Sequence, residues 1–205
     1  MVKARNLIII SGKILTLRRN RDSMQIILEN NGETKKTTPI FSVYDTSLLE
    51  GYYENMKVRI TAHVENRKSK NYDGTPLYIK EFVVDKIEKQ KRMLAPYLLN
   101  EDISEYEGGF PRDVNICLII GEIYHIYHPK KNFAVVTIRI PNGSKSNQAD
   151  VVCFMRQAEQ VASYREGDAI AAAGYVTSKI EDAMDSYVQK QSIVCRDLEI
   201  ISSVY

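Results

Sequence analysis

Residues 151–176, VVCFMRQAEQVASYREGDAIAAAGYV, set the order on which the fold turns. Val151, Val152, Cys153 and Phe154 form a short apolar, β-prone run. From Arg156 to Arg165 the composition changes to Gln, Ala and Glu, which favour helix. Glu166-Gly167-Asp168 breaks that segment, and a new strand is predicted from Ala169 onward. Strand, short helix, turn and strand therefore follow one another in this single stretch.

Outward from it, the chain repeats. Residues 7–14, LIIISGKI, and residues 118–123, LIIGEI, are β-rich runs around Gly12 and Gly121, which lie 109 positions apart. In both runs a missing side chain lets the strand bend sharply. Met24 and Phe133 head the next runs at the same offset, so the first hairpin is expected to have equal length in both copies.

The first copy reads as a strand through Gly12, a basic turn at Leu15 to Arg21, and a strand from Met24 to Glu29. Next come a loop at Asn30 to Thr38, a strand at Ile40 to Tyr44, a helix-sized connector at Thr46 to Glu54, and a strand at Val58 to Val64. A basic hairpin with an Asp73-Gly74 turn leads into the last strand, Tyr78 to Val84. The second copy runs through Ile116 to Ile123, a turn at His128 to Asn132, a strand at Phe133 to Ile140 and a turn at Pro141 to Gly143 into the opening stretch. Its long hairpin, Lys179 to Ser186, is acidic where the first is basic. Lys91 to Asp113, with Pro96, Gly108-Gly109, Pro111 and a run of acidic residues, reads as a linker. A length of 205 residues suits two such units, with boundaries at 1–90, 91–113 and 114–205.

The order Val151, Val152, Phe154, Ala158, Glu159, Val161, Tyr164, Gly167, Asp168, Gly174 resembles the bacterial and phage single-stranded DNA-binding protein family. Residues 57–84 resemble the fourth and fifth strands of that family with the long hairpin between them. The resemblance implies an all-β fold with short helices: two tandem OB-folds, each a five-stranded Greek-key barrel. It also implies sequence-independent coating of single-stranded DNA in replication, recombination or repair, and a homodimer that brings four OB-folds together.

An interface of this type needs cations for phosphates and flat side chains for bases, placed on strands two and three and on the loops between strands one and two and strands four and five. In the first copy those positions hold Arg18, Arg19, Arg21, Lys35, Lys36, Arg59, Arg67, Lys68, Lys70, Tyr72 and Tyr78. In the second they hold Tyr127, Lys130 and Lys131, with Tyr124, His125 and Arg139 nearby. Tyr44, Tyr52 and Tyr53 suit a core or a strand edge as well as a binding face.

Charge agrees with a stronger first copy. Residues 1–90 carry 16 Lys and Arg against 11 Asp and Glu, a net of +5, and residues 91–205 carry 12 against 15, a net of −3. Cys117, Cys153 and Cys195 sit in apolar runs with no C-x-x-C pair, as buried small hydrophobes of a reducing compartment do, so a cytoplasmic location is expected. Leu7 to Ile10 is too short for a signal-peptide core, and no apolar run is long enough for a membrane helix.

Phosphate-binding loops, nucleophile elbows and H-E-x-x-H motifs are absent, so neither a reaction nor a cofactor is expected. His125 and His128 straddle a strand end and a turn, and no metal is expected there. Two features separate this chain from the resembling family. It has no Trp, and no acidic-tipped tail follows the last strand before Tyr205. A second reading therefore stays open: an OB-fold scaffold for protein interaction in a replication, plasmid or phage complex. The choice between DNA and RNA stays open too.

Overall fold

The computed structural model describes residues 2–20, 22–32, 35–70, 74–90, 113–143, 145–183 and 186–201, without the side chains of 69, 70, 76, 77, 180–183 and 186–189. Eleven strands and one short α-helix account for most of it. They are β1 (Arg5–Arg19), β2 (Met24–Asn31), β3 (Lys36–Thr37), β4 (Ile40–Val43), β5 (Lys57–Lys70), β6 (Pro76–Lys89), β7 (Asn115–Lys130), β8 (Phe133–Asn142), β9 (Lys145–Phe154), α1 (Arg156–Val161), β10 (Ala169–Ala183) and β11 (Ser186–Ile200). The predicted linker lies outside the described residues except for Asp113.

The strand pairings close on themselves twice. β1 pairs with β2, β2 with β4, β4 with β6, β6 with β5 and β5 with β1; only the Ser42–Val83 pairing of β4 with β6 is parallel. β7, β8, β9, β11 and β10 close the same way, with Val151 and Val152 parallel to Ile193 and Val194. Side chains alternate across each strand, so one face points into a ring. Ile8, Ile14, Ile26, Leu28, Phe41 and Ile60 fill the first ring, and Ile119, Ile123, Val136, Ile138, Val151 and Ile170 fill the second.

Gly12 and Gly121 are needed where β1 and β7 bend against their neighbours. A Cβ on Gly12 would strike the Glu29 carbonyl, and one on Gly121 the Arg139 carbonyl. The repeat is tightest along the ladders these strands make. Ile8–Lys13 pairs with Ala62–Lys57, and Cys117–Glu122 pairs with Gly174–Ala169, so 8 corresponds to 117 and 62 to 174. The hairpin expectation needs correction. The β1–β2 turn spans the four positions between Arg19 and Met24, and the β7–β8 turn only the two between Lys130 and Phe133. β7 absorbs a second register shift between Tyr127 and Lys130, and the strand after the turn corresponds one residue later, Ile26 to Val136.

The rings join edge to edge. β1 and β7 pair antiparallel from Arg5–Ile120 to Ile10–Asn115. Ile8 faces Cys117, its own equivalent, so a local two-fold axis passes through that pair. The buried residues of both rings form one continuous cluster across this seam.

Two connectors differ from expectation. Thr46 to Glu54 is helix-sized, yet only a 3-10 turn forms at Thr46–Leu49, because Gly51 (φ 73°) and Asn55 (φ 72°) turn the chain into the left-handed region. α1 stops at Val161 rather than Arg165. The Ser163 and Tyr164 amides bond three residues back to Gln160 and Val161, and the Ser163 hydroxyl also donates to the Gln160 carbonyl at 2.8 Å. α1 buries Ala158 and Val161, and Gln160 ties it to the Leu198 carbonyl of β11 at 2.8 Å.

Candidate nucleic-acid interface

The predicted hairpin at Arg67 to Gly74 is in large part strand: β5 and β6 continue as a two-stranded ribbon to Lys70 and Pro76. Lys68 stands opposite Tyr78, and its ammonium lies 5.9 Å above the Tyr78 ring, which is 65% exposed. Arg67, one residue before, turns back to the first ring. It donates to the Tyr44 hydroxyl and lies 4.8 Å over the Tyr44 ring, with Glu81 4.0 Å away. Tyr44 in turn donates to Glu81 at 2.6 Å. Burial, then the Glu81 carboxylate, holds the Tyr44 phenol above its usual range. The hydrogen bond to Tyr44, then the fields of Glu81 and of Asp22 on the β1–β2 turn, raise the Arg67 value. The turn and the ribbon thus converge on one side of the first ring.

Arg18 reaches the same side through a cross-strand row. Arg18 faces Gln25, Gln25 faces Ser42 and Ser42 faces Val83; the Arg18 guanidinium donates to the Gln25 amide oxygen at 3.0 Å. Arg19 is exposed beside Met24 and lines a shallow groove with Asp22, Thr46 and Glu50. Arg59 is exposed on β5 between Ser11 and Glu88.

Other predicted positions are engaged or elsewhere. Lys36 forms an ion pair with Glu29, and that hydrogen bond draws the Glu29 carboxyl below its usual range. Lys35 faces the second ring rather than the Arg67 cluster. Lys70 is described only through its backbone, opposite Pro76, and Arg21 and Tyr72 lie outside the described residues. In the second ring Tyr127 (58% exposed), Lys130 and Lys131 project from the β7–β8 hairpin. Among the described residues they make no ion pair with the first-ring cluster. Tyr124 is exposed, Arg139 pairs with Glu122 at 2.5 Å, and His125 meets Glu166 at 2.9 Å.

His128 contacts the Ala158 carbonyl at 3.1 Å. The described residues hold no group of three or more His, Cys, Asp or Glu placed to bind a metal. All three cysteines are buried, and burial pushes the Cys117 thiol up to about 12. No described helix is long and apolar enough to cross a membrane.

Sequence reasoning missed one asparagine that ties two strands within each ring, and the polar contacts that cross the seam. Asn6 donates to the Val64 carbonyl at 2.8 Å and accepts from the Val64 amide at 2.8 Å. Asn115, its equivalent, does the same to Val176 at 2.8 and 2.9 Å. The signal was present: an Asn stands six residues before the bending glycine in both copies. Across the seam, the Thr38 amide donates to Ser178 Oγ at 2.8 Å, and the Gln148 amide donates to Asn66 Oδ1 in the matching place. Gln191 bonds the Ile40 backbone where Lys80 pairs with Asp150 on the other side of the axis.

No protein-family model matches the chain, and no curated protein sequence matches it. Solved structures do resemble it. The wild-type single-stranded DNA binding protein from Thermus aquaticus superposes with a TM-score of 0.65 at 11% identity, over 98% of this chain and 95% of that one. A deletion variant of the same protein gives 0.66 at 11% identity, over 100% and 98%. At that identity the likeness is one of fold: from end to end, the chain has the all-β architecture of the Thermus protein.

Proposed function

We propose that this chain coats single-stranded DNA without sequence preference and performs no reaction. On this reading each five-strand ring is an OB-fold, residues 1–90 and 114–205 are its two domains, and residues 91–113 link them. A homodimer would assemble four OB-folds, with a role in replication, recombination or repair.

The observation that carries the reading is a pair of cation–ring contacts on the β5–β6 ribbon of the first ring, Arg67 over Tyr44 and Lys68 over Tyr78, within a fold shared along its whole length with a single-stranded DNA binding protein. Cation and ring stand together there, as phosphate and base contacts require.

A second reading has an observation of its own. Arg67, Lys36, Lys80 and Arg139 are each ion-paired to a carboxylate of the chain, which lowers the free positive charge offered to phosphates. On that reading the rings are a scaffold for protein partners. Fluorescence anisotropy with labelled oligothymidylate at two salt concentrations decides. DNA coating predicts affinity that falls steeply with salt through counterion release, whereas a scaffold gives flat traces at micromolar protein.

A further inference from the structure

The matched registers place two pairs of residues at equivalent positions, and these pairs differ in kind. Tyr175 follows Gly174 on β10, as His63 follows Ala62 on β5. Arg196 is skipped by the β10–β11 ladder between Cys195 and Asp197, and Asp85 is skipped by the β5–β6 ladder between Val84 and Lys86. Each is the extra residue of a β-bulge, which aims its side chain off the ladder. In the first ring His63 Nδ1 meets Asp85 at 2.8 Å, and Nε2 lies 3.5 Å from Glu65. In the second, the Arg196 guanidinium lies 5.0 Å over the Tyr175 ring.

Around Tyr175 and Arg196 the surface opens into a cavity of 540 Å³. Ile116 of β7 (54% exposed) and Phe154 at the end of β9 (45% exposed) form its apolar walls. Lys35, from the connection between β2 and β3 in the other half of the chain, also lines it. Among the described residues one carboxylate, Asp113, lies at the edge and is engaged, accepting the Asn31 amide at 2.9 Å.

We infer that this cavity is a base-stacking site for a single strand of nucleic acid, completed by Lys35 from the first half, and that its counterpart at His63 and Asp85 is not. The inference rests on the function proposed above and names where on the chain the bases go. The exposed Phe154 ring and the half-buried Tyr175 ring beside an isoleucine suit the flat, weakly polar face of an unpaired base, and two cations at the rim suit the phosphates on either side of it. A purely apolar peptide would offer no anion to Lys35 and Arg196, and a small anion would leave Ile116 and Phe154 uncovered. At the equivalent place in the first ring, Asp85 and Glu65 repel a phosphate.

The test uses the whole chain and a fluorescein-labelled oligothymidylate of about 16 nucleotides. Tyr175→Ala and Arg196→Glu should each weaken binding about tenfold, the loss expected for one stacked base. Tyr175→Phe should restore it, and His63→Ala and Asp85→Ala should leave it unchanged or tighter. A second measurement needs no variant: photo-crosslinking of the unaltered chain to an oligonucleotide carrying 5-iodouracil, with adducts mapped by mass spectrometry. Adducts are expected on Tyr175 or Phe154. If the chain binds with a steep salt dependence while Tyr175→Ala and Arg196→Glu bind as the parent does, or if adducts fall on His63 alone, the site is wrong and DNA coating stands. If the parent chain gives no binding at micromolar concentration, coating and site fall together.

Discussion

The residue that bulges from β6 in the first ring is Asp85, and it holds His63; the residue that bulges from β11 in the second is Arg196, and it covers Tyr175. One backbone device, repeated, carries opposite charges. The half with a net charge of +5 presents a histidine between two carboxylates at this place, and the half with −3 presents an arginine on a ring. Net charge summed over a domain therefore says little about any one of its faces, because strand alternation and bulges decide where each charge points. Positions that shape the backbone kept the same residue in both copies, as Gly12 with Gly121 and Asn6 with Asn115 show. Bulge residues face solvent and carry no such demand.

The largest effect expected from testing this equivalence is at the bending glycines. A side chain at either position meets a backbone carbonyl, which cannot swing aside as a flexible side chain would. Gly12→Val and Gly121→Val should each cost more than about 3 kcal/mol, measured by urea denaturation. Because β1 and β7 share a ladder, either variant should unfold both rings in one transition. Two separate transitions would show that the rings are independent units and that the seam is weak.

Next in size are the asparagines. Asn6→Leu strands the amide and carbonyl of Val64, and Asn115→Leu strands those of Val176, at about 2 kcal/mol for each variant. Asn115 also donates to Asn30 Oδ1 at 3.2 Å, so its loss should be slightly the larger. A marked inequality in the opposite direction, in the same denaturation assay, would break the two-fold relation drawn through Ile8 and Cys117.

Much of this architecture can be read from residue order. The run from Val151 to Gly174 and the spacing of Gly12 and Gly121 place most strands, because apolar alternation and bend positions are local properties. What escapes such a reading is information carried by partners distant in sequence. Arg67 reads as a free hairpin cation, yet its partner Tyr44 lies 23 residues away on another strand. Lys35 reads with the first copy's basic loops, and only the seam turns it toward Tyr175 and Arg196. Arg196 itself carries no signal, since its outward direction depends on a bulge that the sequence does not mark.

A binding comparison is expected to give a smaller change. Reversing both Arg67 and Lys68 to Glu should weaken oligothymidylate binding about tenfold and lower the salt slope by about 2, one unit for each cation withdrawn from a phosphate. Lys130→Glu with Lys131→Glu should do less, because those side chains stand on a hairpin without the Tyr44 and Tyr78 rings beside them. Equal slopes from titrations at several salt concentrations would remove the difference between the hairpins.

The smallest effect is a pH dependence confined to one ring. The hydrogen bond that His63 donates to Asp85, with the Asp85 and Glu65 charges, raises the His63 value above its ordinary one, near 6.5. A histidine whose folded value exceeds its unfolded value adds stability that is complete below about 6.5 and lost as pH rises through the folded value. Asp85 is 48% exposed, so water screens the pair and the loss should be the least of the four effects. Unfolding midpoints measured from mildly acidic to mildly alkaline pH should fall through that window in the parent chain. In His63→Asn and Asp85→Asn that step should be absent. The second ring supplies the converse: Tyr175→His with Arg196→Asp would rebuild the pair on the equivalent bulge. A second step of the same sign should then appear, because the bulge geometry that presents Asp85 to His63 is already in place at Arg196. If that double variant shows no added step, the two bulges do not present their residues alike, and the equivalence stops at the backbone.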